Sequence, residues 1–177
     1  MSALTGQPAG AGQAGSTDKA AGNSRPGQHF EVVLHRLGTG HYQATNADGA
    51  SVEVGGPGNL SPVELLLAAL GGCTSVDVDV VTARRAQADK FEVAVSGDKI
   101  TEPDGGHLMA NLGVDFRLHF AGERAAEATG MLERLIKLSH ERDCTVSRTV
   151  ERGVGVSMSL DGEPVAGPQR ASGPETA

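Results

Sequence analysis

The amino-acid sequence predicts an α+β domain with the element order βββ-α-ββ-α-β. Two kinds of pattern support this prediction. Apolar residues alternate with polar ones between glycine-rich turns over residues 30–54 and 91–120, which is typical of antiparallel strands. Two other segments, beginning near residues 62 and 123, carry apolar residues three and four apart and predict helices. Glycine, alanine, serine and proline are frequent at both ends of the chain, so the folded domain is expected over residues 29–161.

Three short strands open the domain as a meander. Alternation predicts them over residues 30–37, 41–45 and 51–54. The Asp48-Gly49 pair between the second and third strands is a strong turn signal, because aspartate and glycine tolerate the left-handed conformation that tight hairpin turns need.

The central helix has the clearest start in the sequence. Ser61 is an N-cap residue, Pro62 suits the first helical position, and Glu64 completes the pattern of a capping box. We therefore interpret Glu64 as a helix cap. The helix is predicted to continue to about residue 88.

The second half of the domain repeats strands and a helix. Two strands are predicted at residues 91–95 and 108–120, and a second helix is predicted over residues 123–139. A last strand is predicted from the spacing of Val150, Val154, Val156, Met158 and Leu160.

Composition and charge argue against several functions. The 177 residues include 15 Lys+Arg and 22 Asp+Glu, a formal net charge of -7, so the chain offers no broad basic surface to a nucleic acid or an anionic membrane. The most apolar run, residues 63–81, contains three acidic residues, and no membrane-spanning helix is predicted.

The N-terminus lacks the apolar region of a secretory signal, so we expect a cytoplasmic protein. Residues 1–28 and 162–177 are predicted to be flexible tails.

Two glycines in the central helix indicate a close contact. Gly71 and Gly72 each cost about 1 kcal/mol relative to alanine in a helix interior. Packing against another helix, which could belong to a second copy of the chain, is the simplest explanation. Cys73 follows directly, and its thiol is expected beneath an apolar wall. By helical spacing, six residues share the helix face of Cys73: Leu66, Ala69, Leu70, Val76, Asp77 and Val80.

Cys73 and Cys144 are the two cysteines of the chain. They are too few for a disulfide scaffold, and His35 and His41 form no recognisable zinc pattern with them. A lone buried cysteine is usually a small apolar side chain, but a pair of cysteines favours redox chemistry. Near Cys144 the sequence places Arg142 and Arg148, which either lower the pKa of a thiol or are simply solvated.

These segments resemble a known family. Residues 61–74, Ser-Pro-Val-Glu-Leu-Leu-Leu-Ala-Ala-Leu-Gly-Gly-Cys-Thr, and residues 144–148, Cys-Thr-Val-Ser-Arg, resemble the OsmC/Ohr family of osmotically inducible and organic hydroperoxide resistance proteins. The resemblance implies an intertwined homodimer whose central helices pack together. It also implies that Cys73 attacks a small hydrophobic hydroperoxide, that Cys144 resolves the product as a disulfide, and that an external dithiol of the lipoyl type restores both thiols. No metal or bound organic cofactor is implied.

The chain departs from the peroxidase branches of that family. Val63 stands where those branches have a glutamate, and their Gly-Gly-Arg loop is missing, so Arg36 on the preceding strand is the candidate substitute. Asp77, one turn after Cys73, suggests a looser OsmC-like branch. Asp77 could hold an arginine across the site, or be satisfied by the backbone or by Arg84. Two alternatives to a peroxidase therefore stay open: a non-catalytic binding protein for an apolar small molecule, and a thiol redox sensor.

Overall fold

The computed structural model describes residues 27–168, and in this range the chain forms an α+β domain, as predicted. The element order is βββ-α-ββ-α-α-ββ, with a π-helical turn at Ser139–Asp143 between the second and third helices. The strands are β1 (Val32–Gly38), β2 (His41–Asn46), β3 (Ser51–Gly55), β4 (Ala88–Thr101), β5 (His107–Phe120), β6 (Met158–Leu160) and β7 (Glu163–Ala166). The helices are α1 (Pro62–Thr82), α2 (Ala125–Leu138) and α3 (Thr145–Arg152).

The first three strands form the predicted antiparallel meander. In the turn between β2 and β3, the Asn46 side chain accepts hydrogen bonds from the backbone N–H groups of Asp48 and Ala50, and Gly49 adopts a left-handed φ of 85°. Within residues 27–168, the sheet packs on the remainder of the fold mainly where β3 meets α1. Apolar side chains of this sheet are therefore left in solvent, namely Val32, Val33, Leu34, Leu37 and Val52.

The start of α1 is the capping box that the sequence predicts. The Glu64 backbone N–H donates to Ser61 Oγ at 3.3 Å, and the Ser61 N–H donates to Glu64 Oε2 at 2.7 Å. These bonds lower the pKa of the Glu64 carboxyl group. Glu64 is thus a helix cap, as predicted. The helix ends at Thr82, earlier than the predicted residue 88, because the chain enters β4 at Ala88.

The helix α1 packs against the β4–β5 hairpin and against the helices that follow it. By length and composition alone, α1 is apolar enough to span a membrane, contrary to what the interrupted run of residues 63–81 predicts. Core helices of globular proteins meet the same criterion, and α1 is the central helix of this fold. It contacts β3, β4, α2, α3 and the π turn.

A strand, and not another helix, explains one of the two helical glycines. A Cβ atom on Gly71 would lie 2.5 Å from Cγ2 of Val95 on β4, so alanine would clash there. The predicted helix contact is therefore wrong for Gly71. Gly72 is exposed, and a Cβ there would meet no atom of the chain within 4 Å.

The segment after α2 differs most from the prediction. Val150 was expected in a strand but lies in α3, and the last predicted strand is reduced to β6. The strand β7 pairs antiparallel with β6, so a short hairpin extends past the predicted domain boundary at residue 161 into the predicted C-terminal tail. The predicted N-terminal tail, residues 1–28, lies almost entirely outside the described residues.

Candidate functional site

The fold brings together the two cysteines, which are 71 positions apart in the sequence. Cys73 lies in the middle of α1, and Cys144 lies between the π turn and α3. Both are free thiols, and their side chains are close enough to interact. The next residue on α1, Thr74, donates a hydrogen bond from its hydroxyl group to Cys144 Sγ at 3.5 Å. The two sulfur atoms therefore belong to one site between α1 and the start of α3.

Cys144 is completely buried at this site, with 0% of its surface exposed. It is also the N-cap residue of α3, where its sulfur accepts a hydrogen bond from the Ser147 backbone N–H at 3.3 Å. Cysteine is not among the preferred N-cap residues, which are serine, threonine, aspartate and asparagine. The Cys144 thiol therefore caps the start of α3 and also lies next to Cys73.

Cys73 is half-buried, so solvent and small molecules reach it more easily than they reach Cys144. Of the apolar residues that the sequence predicts on the face of Cys73, Leu70 is buried, whereas Leu66, Val76 and Val80 are exposed. The start of α3 covers part of the thiol, through the backbone of Thr145 and Val146.

Two opposing effects act on the pKa of Cys73. Burial raises the pKa of this thiol, and the neighbouring Cys144 side chain raises it further. The backbone N–H groups of Val146 and Thr145, at the N-terminus of α3, donate toward the sulfur and lower the pKa. The net result is a Cys73 pKa above its ordinary value. At neutral pH the site therefore holds Cys73 mainly as a thiol.

Asp77 and Ser139 link the same two segments. Ser139 Oγ donates a hydrogen bond of 2.6 Å to Asp77 Oδ2, and only 1% of the Ser139 surface is exposed. Asp77 was expected to hold an arginine, or to be satisfied by the backbone or by Arg84. Its partner is Ser139 instead, because the π turn after α2 brings that hydroxyl group against α1.

The side chains of the arginines that the sequence singles out bind groups other than the thiols. Arg36 is exposed on β1 and donates to the Thr39 hydroxyl group at 3.0 Å. Arg142 pairs with Asp143 at 2.8 Å, and the guanidinium group of Arg148 donates to the backbone carbonyl of Glu141. None of the three contributes to the pKa of Cys73. The groups that lower the pKa of Cys73 are the backbone N–H groups of Thr145 and Val146.

A cavity of about 300 Å³ opens next to Cys144, on the side lined by Thr74 and Ser147. Its polar end carries His140, whose Nδ1 lies 3.4 Å from Ser147 Oγ and 3.5 Å from Glu151 Oε1. Sequence reasoning missed this cavity, because its walls come from five elements: α1, β5, α2, the π turn and α3. The apolar wall consists of Leu70, Leu112, Val114, Phe116, Ile136 and Val150.

The fold and the paired thiols define an α+β protein with a dithiol site. A family model described as OsmC-like protein matches residues 55–159, which is more than half of the chain. The chain therefore belongs to the OsmC-like family, as its two cysteine segments indicate.

Individual relatives are distant. Protein YhfA of Escherichia coli K12 is 26% identical over 102 residues, which cover 57% of this chain and 72% of YhfA. This similarity fits the looser OsmC-like branch that the sequence suggests.

Solved structures share the fold. A hypothetical protein from Aquifex aeolicus VF5 gives a TM-score of 0.57 at 23% identity, over 71% of this chain and 89% of that one. An OsmC-like protein of unknown function from Vibrio cholerae gives a TM-score of 0.56 at 16% identity, over 70% of this chain and 94% of that one. At such identities the likeness shows the fold alone.

Proposed function

We propose that this protein is a thiol-dependent peroxidase that reduces organic hydroperoxides to alcohols. The observation that carries the proposal is the pairing of a half-exposed thiol, Cys73, with a buried thiol, Cys144, at the N-terminus of a helix. Membership of the OsmC-like family supports a redox-related role. The accessible thiol suits attack on a small molecule, and the buried one suits reaction with its neighbour.

The reaction follows from these positions. The Cys73 thiolate attacks the distal oxygen of the hydroperoxide, the O–O bond breaks, and the leaving alkoxide takes up a proton to become the alcohol. Cys73 is then a sulfenic acid. The Cys144 sulfur attacks the Cys73 sulfur, which forms the disulfide and releases water. An external dithiol, for which we propose a lipoyl-type group, exchanges with this disulfide, restores both thiols and leaves as a disulfide itself.

The structure suggests how the thiolate arises. The N–H groups of Thr145 and Val146 stabilise negative charge on the Cys73 sulfur, whereas burial opposes it. Because the pKa of Cys73 is raised, its thiolate fraction increases as the pH rises from 7 to 9. We therefore expect peroxide reduction to become faster over this range. The N–H groups that lower the pKa of Cys73 lie directly after Cys144, at the start of α3. The same short helix therefore contacts both thiols.

Steady-state and trapping experiments with cumene hydroperoxide test the proposal. Cys73→Ser is expected to abolish turnover and oxygen transfer. Cys144→Ser is expected to stop at the sulfenic acid on Cys73, which dimedone traps as an adduct of defined mass. Ser75→Ala is the matched control, because the Ser75 hydroxyl group donates only to the Gly71 carbonyl of its own helix. Full turnover by Cys73→Ser would overturn the proposal.

We also propose that the protein works as a homodimer in the cytoplasm. Exposed apolar side chains lie on the first sheet, such as Leu34 (56% exposed), and on α1, such as Val76 (61% exposed). A second copy of the chain would cover both surfaces and close the open side of Cys73. In a monomer Leu34→Glu would alter stability by less than about 0.5 kcal/mol. In the proposed dimer it lowers the association constant, which sedimentation equilibrium measures, and unchanged association would contradict this arrangement.

The cavity next to Cys144 favours a second candidate function, the binding of an apolar small molecule. Its wall is apolar, and His140 and Ser147 supply hydrogen-bonding groups at one end. Calorimetric titration with octan-1-ol tests this candidate on the reduced protein. Val114→Phe is expected to fill part of the cavity and weaken binding, whereas Val165→Phe, on the exposed strand β7, is the control. Binding that Val114→Phe leaves unchanged would exclude the cavity as the site.

A further inference from the structure

A pair of residues outside the thiols joins the two segments that carry them. Asp77 lies four residues after Cys73 on α1, which places both on the same side of the helix. Ser139 begins the π turn, and its carbonyl accepts the hydrogen bond from the Cys144 N–H at 2.8 Å that closes this turn. The Ser139 hydroxyl group donates to Asp77. Ser139 is therefore bonded to the Cys144 backbone through its carbonyl and to the Cys73 helix through its side chain.

The geometry of this link suits a positioning role. The Oγ to Oδ2 distance of 2.6 Å is that of a charge-assisted bond between a hydroxyl group and a carboxylate. Ser139 is nearly inaccessible to water, so the bond has little competition from solvent. A π turn is a local departure from regular α-helix geometry and is frequent at functional sites. The bond to Asp77 fixes this turn to α1.

We infer that Asp77 and Ser139 are positioning residues that hold the Cys144 segment against α1 and thereby set the effective concentration of the Cys144 thiol at Cys73. The inference rests on the proposed redox function of the two thiols. It assigns neither residue a contact with the substrate. Without the hydrogen bond, the π turn gains freedom to move from α1, and the two thiols meet less often.

The test is the equilibrium of the reduced protein with glutathione disulfide, followed by mass spectrometry of the Cys73–Cys144 linkage. In this exchange the protein dithiol is oxidised to the disulfide, and glutathione disulfide is reduced to two glutathione thiols, so no peroxide is involved. We expect Asp77→Ala and Ser139→Ala each to lower the equilibrium constant about tenfold, which is a shift of about 30 mV in reduction potential. Asp77→Asn keeps an acceptor for the serine and is expected to change it less than threefold.

Two further variants separate positioning from loss of stability. The double variant Asp77→Ala/Ser139→Ala is expected to match the single variants, because the two residues act through one bond. Thr82→Val removes a buried hydroxyl group on the same helix that bonds only within α1, and is expected to leave the equilibrium constant unchanged.

The outcomes are distinct for the two proposals. Unchanged equilibrium constants in both single variants would overturn the positioning role, and so would an equal loss in Thr82→Val. A wild-type protein that forms the disulfide with glutathione but reduces no cumene hydroperoxide would refute the proposed peroxidase. In that case a tenfold loss in Asp77→Ala and Ser139→Ala would still support the positioning role.

Discussion

Alanine at Gly71 is expected to destabilise the protein relative to the same change at Gly130. Both glycines lie inside helices, where alanine gains about 1 kcal/mol in intrinsic helix propensity. A Cβ at Gly71 would lie 2.5 Å from Cγ2 of Val95, whereas a Cβ at Gly130 would meet nothing within 4 Å. Valine is β-branched and has few alternative rotamers, so Val95 relieves the clash only if α1 and β4 move apart. Such overpacking costs about 1–3 kcal/mol.

Both substitutions gain the same intrinsic helix propensity, so the difference between them reports on the clash at the buried Gly71. Gly130→Ala is expected to raise the free energy of unfolding by up to about 1 kcal/mol. Gly71→Ala is expected to fall below it by about 1–3 kcal/mol. Urea unfolding of both variants, followed by far-UV circular dichroism, gives the two values under identical conditions. Equal stabilisation by the two alanines would refute the close approach of α1 to β4.

Three further results are expected. Ser61→Ala removes the N-cap of α1 and is expected to lower the free energy of unfolding by about 1 kcal/mol, as urea unfolding measures; no loss would show that the capping box is not formed. Because the pKa of Cys73 is raised, its alkylation by iodoacetamide is expected to level off only above pH 8.5, the approximate pKa of free cysteine. A plateau below pH 7 would contradict this environment. Cys144 is 0% exposed, so peptide mapping is expected to find it modified only after unfolding, and equal modification of both cysteines in the native protein would be inconsistent with its burial.

Local signals in the sequence predict much of the fold. The capping box at Ser61 and the turn at Asp48-Gly49 are specified by residues a few positions apart, so their structures follow from sequence alone. The α+β class follows for the same reason, because each pattern of alternation or helical spacing is contained within one element. Long strands such as β4 extend beyond their predicted ends, since pairing in a hairpin continues through residues with weak strand preference.

Tertiary contacts determine what the sequence did not predict. Val150 and its neighbours in α3 include several β-branched residues, which favour strands when considered alone. The helix forms because the buried Cys144 caps its start and Gly153, in the left-handed conformation with φ of 56°, ends it. A sulfur atom as an N-cap is an unusual signal, so the sequence predicts no helix here and places Val150 in the last strand.

The residues of the candidate site were likewise predicted only in part. Cys73 and Cys144 were predicted from their sequence contexts, and the structure places them side by side. The partner of Asp77 was not predictable, because Ser139 is 62 positions away and the π turn that brings it to α1 has no sequence signature. Arg36 lies on β1 and donates to Thr39, so the interpretation that it substitutes for a family arginine gains no support within one chain.

Peptide mapping of the reduced protein after one equivalent of cumene hydroperoxide tests the dithiol site most directly. Intact mass is recorded over seconds to minutes, and hydrogen peroxide is the comparison oxidant. We expect loss of two hydrogen atoms and a Cys73–Cys144 linkage, formed faster with the organic peroxide than with hydrogen peroxide. Thiols that stay reduced, or that oxidise slowly and equally with both peroxides, would contradict the proposed peroxidase.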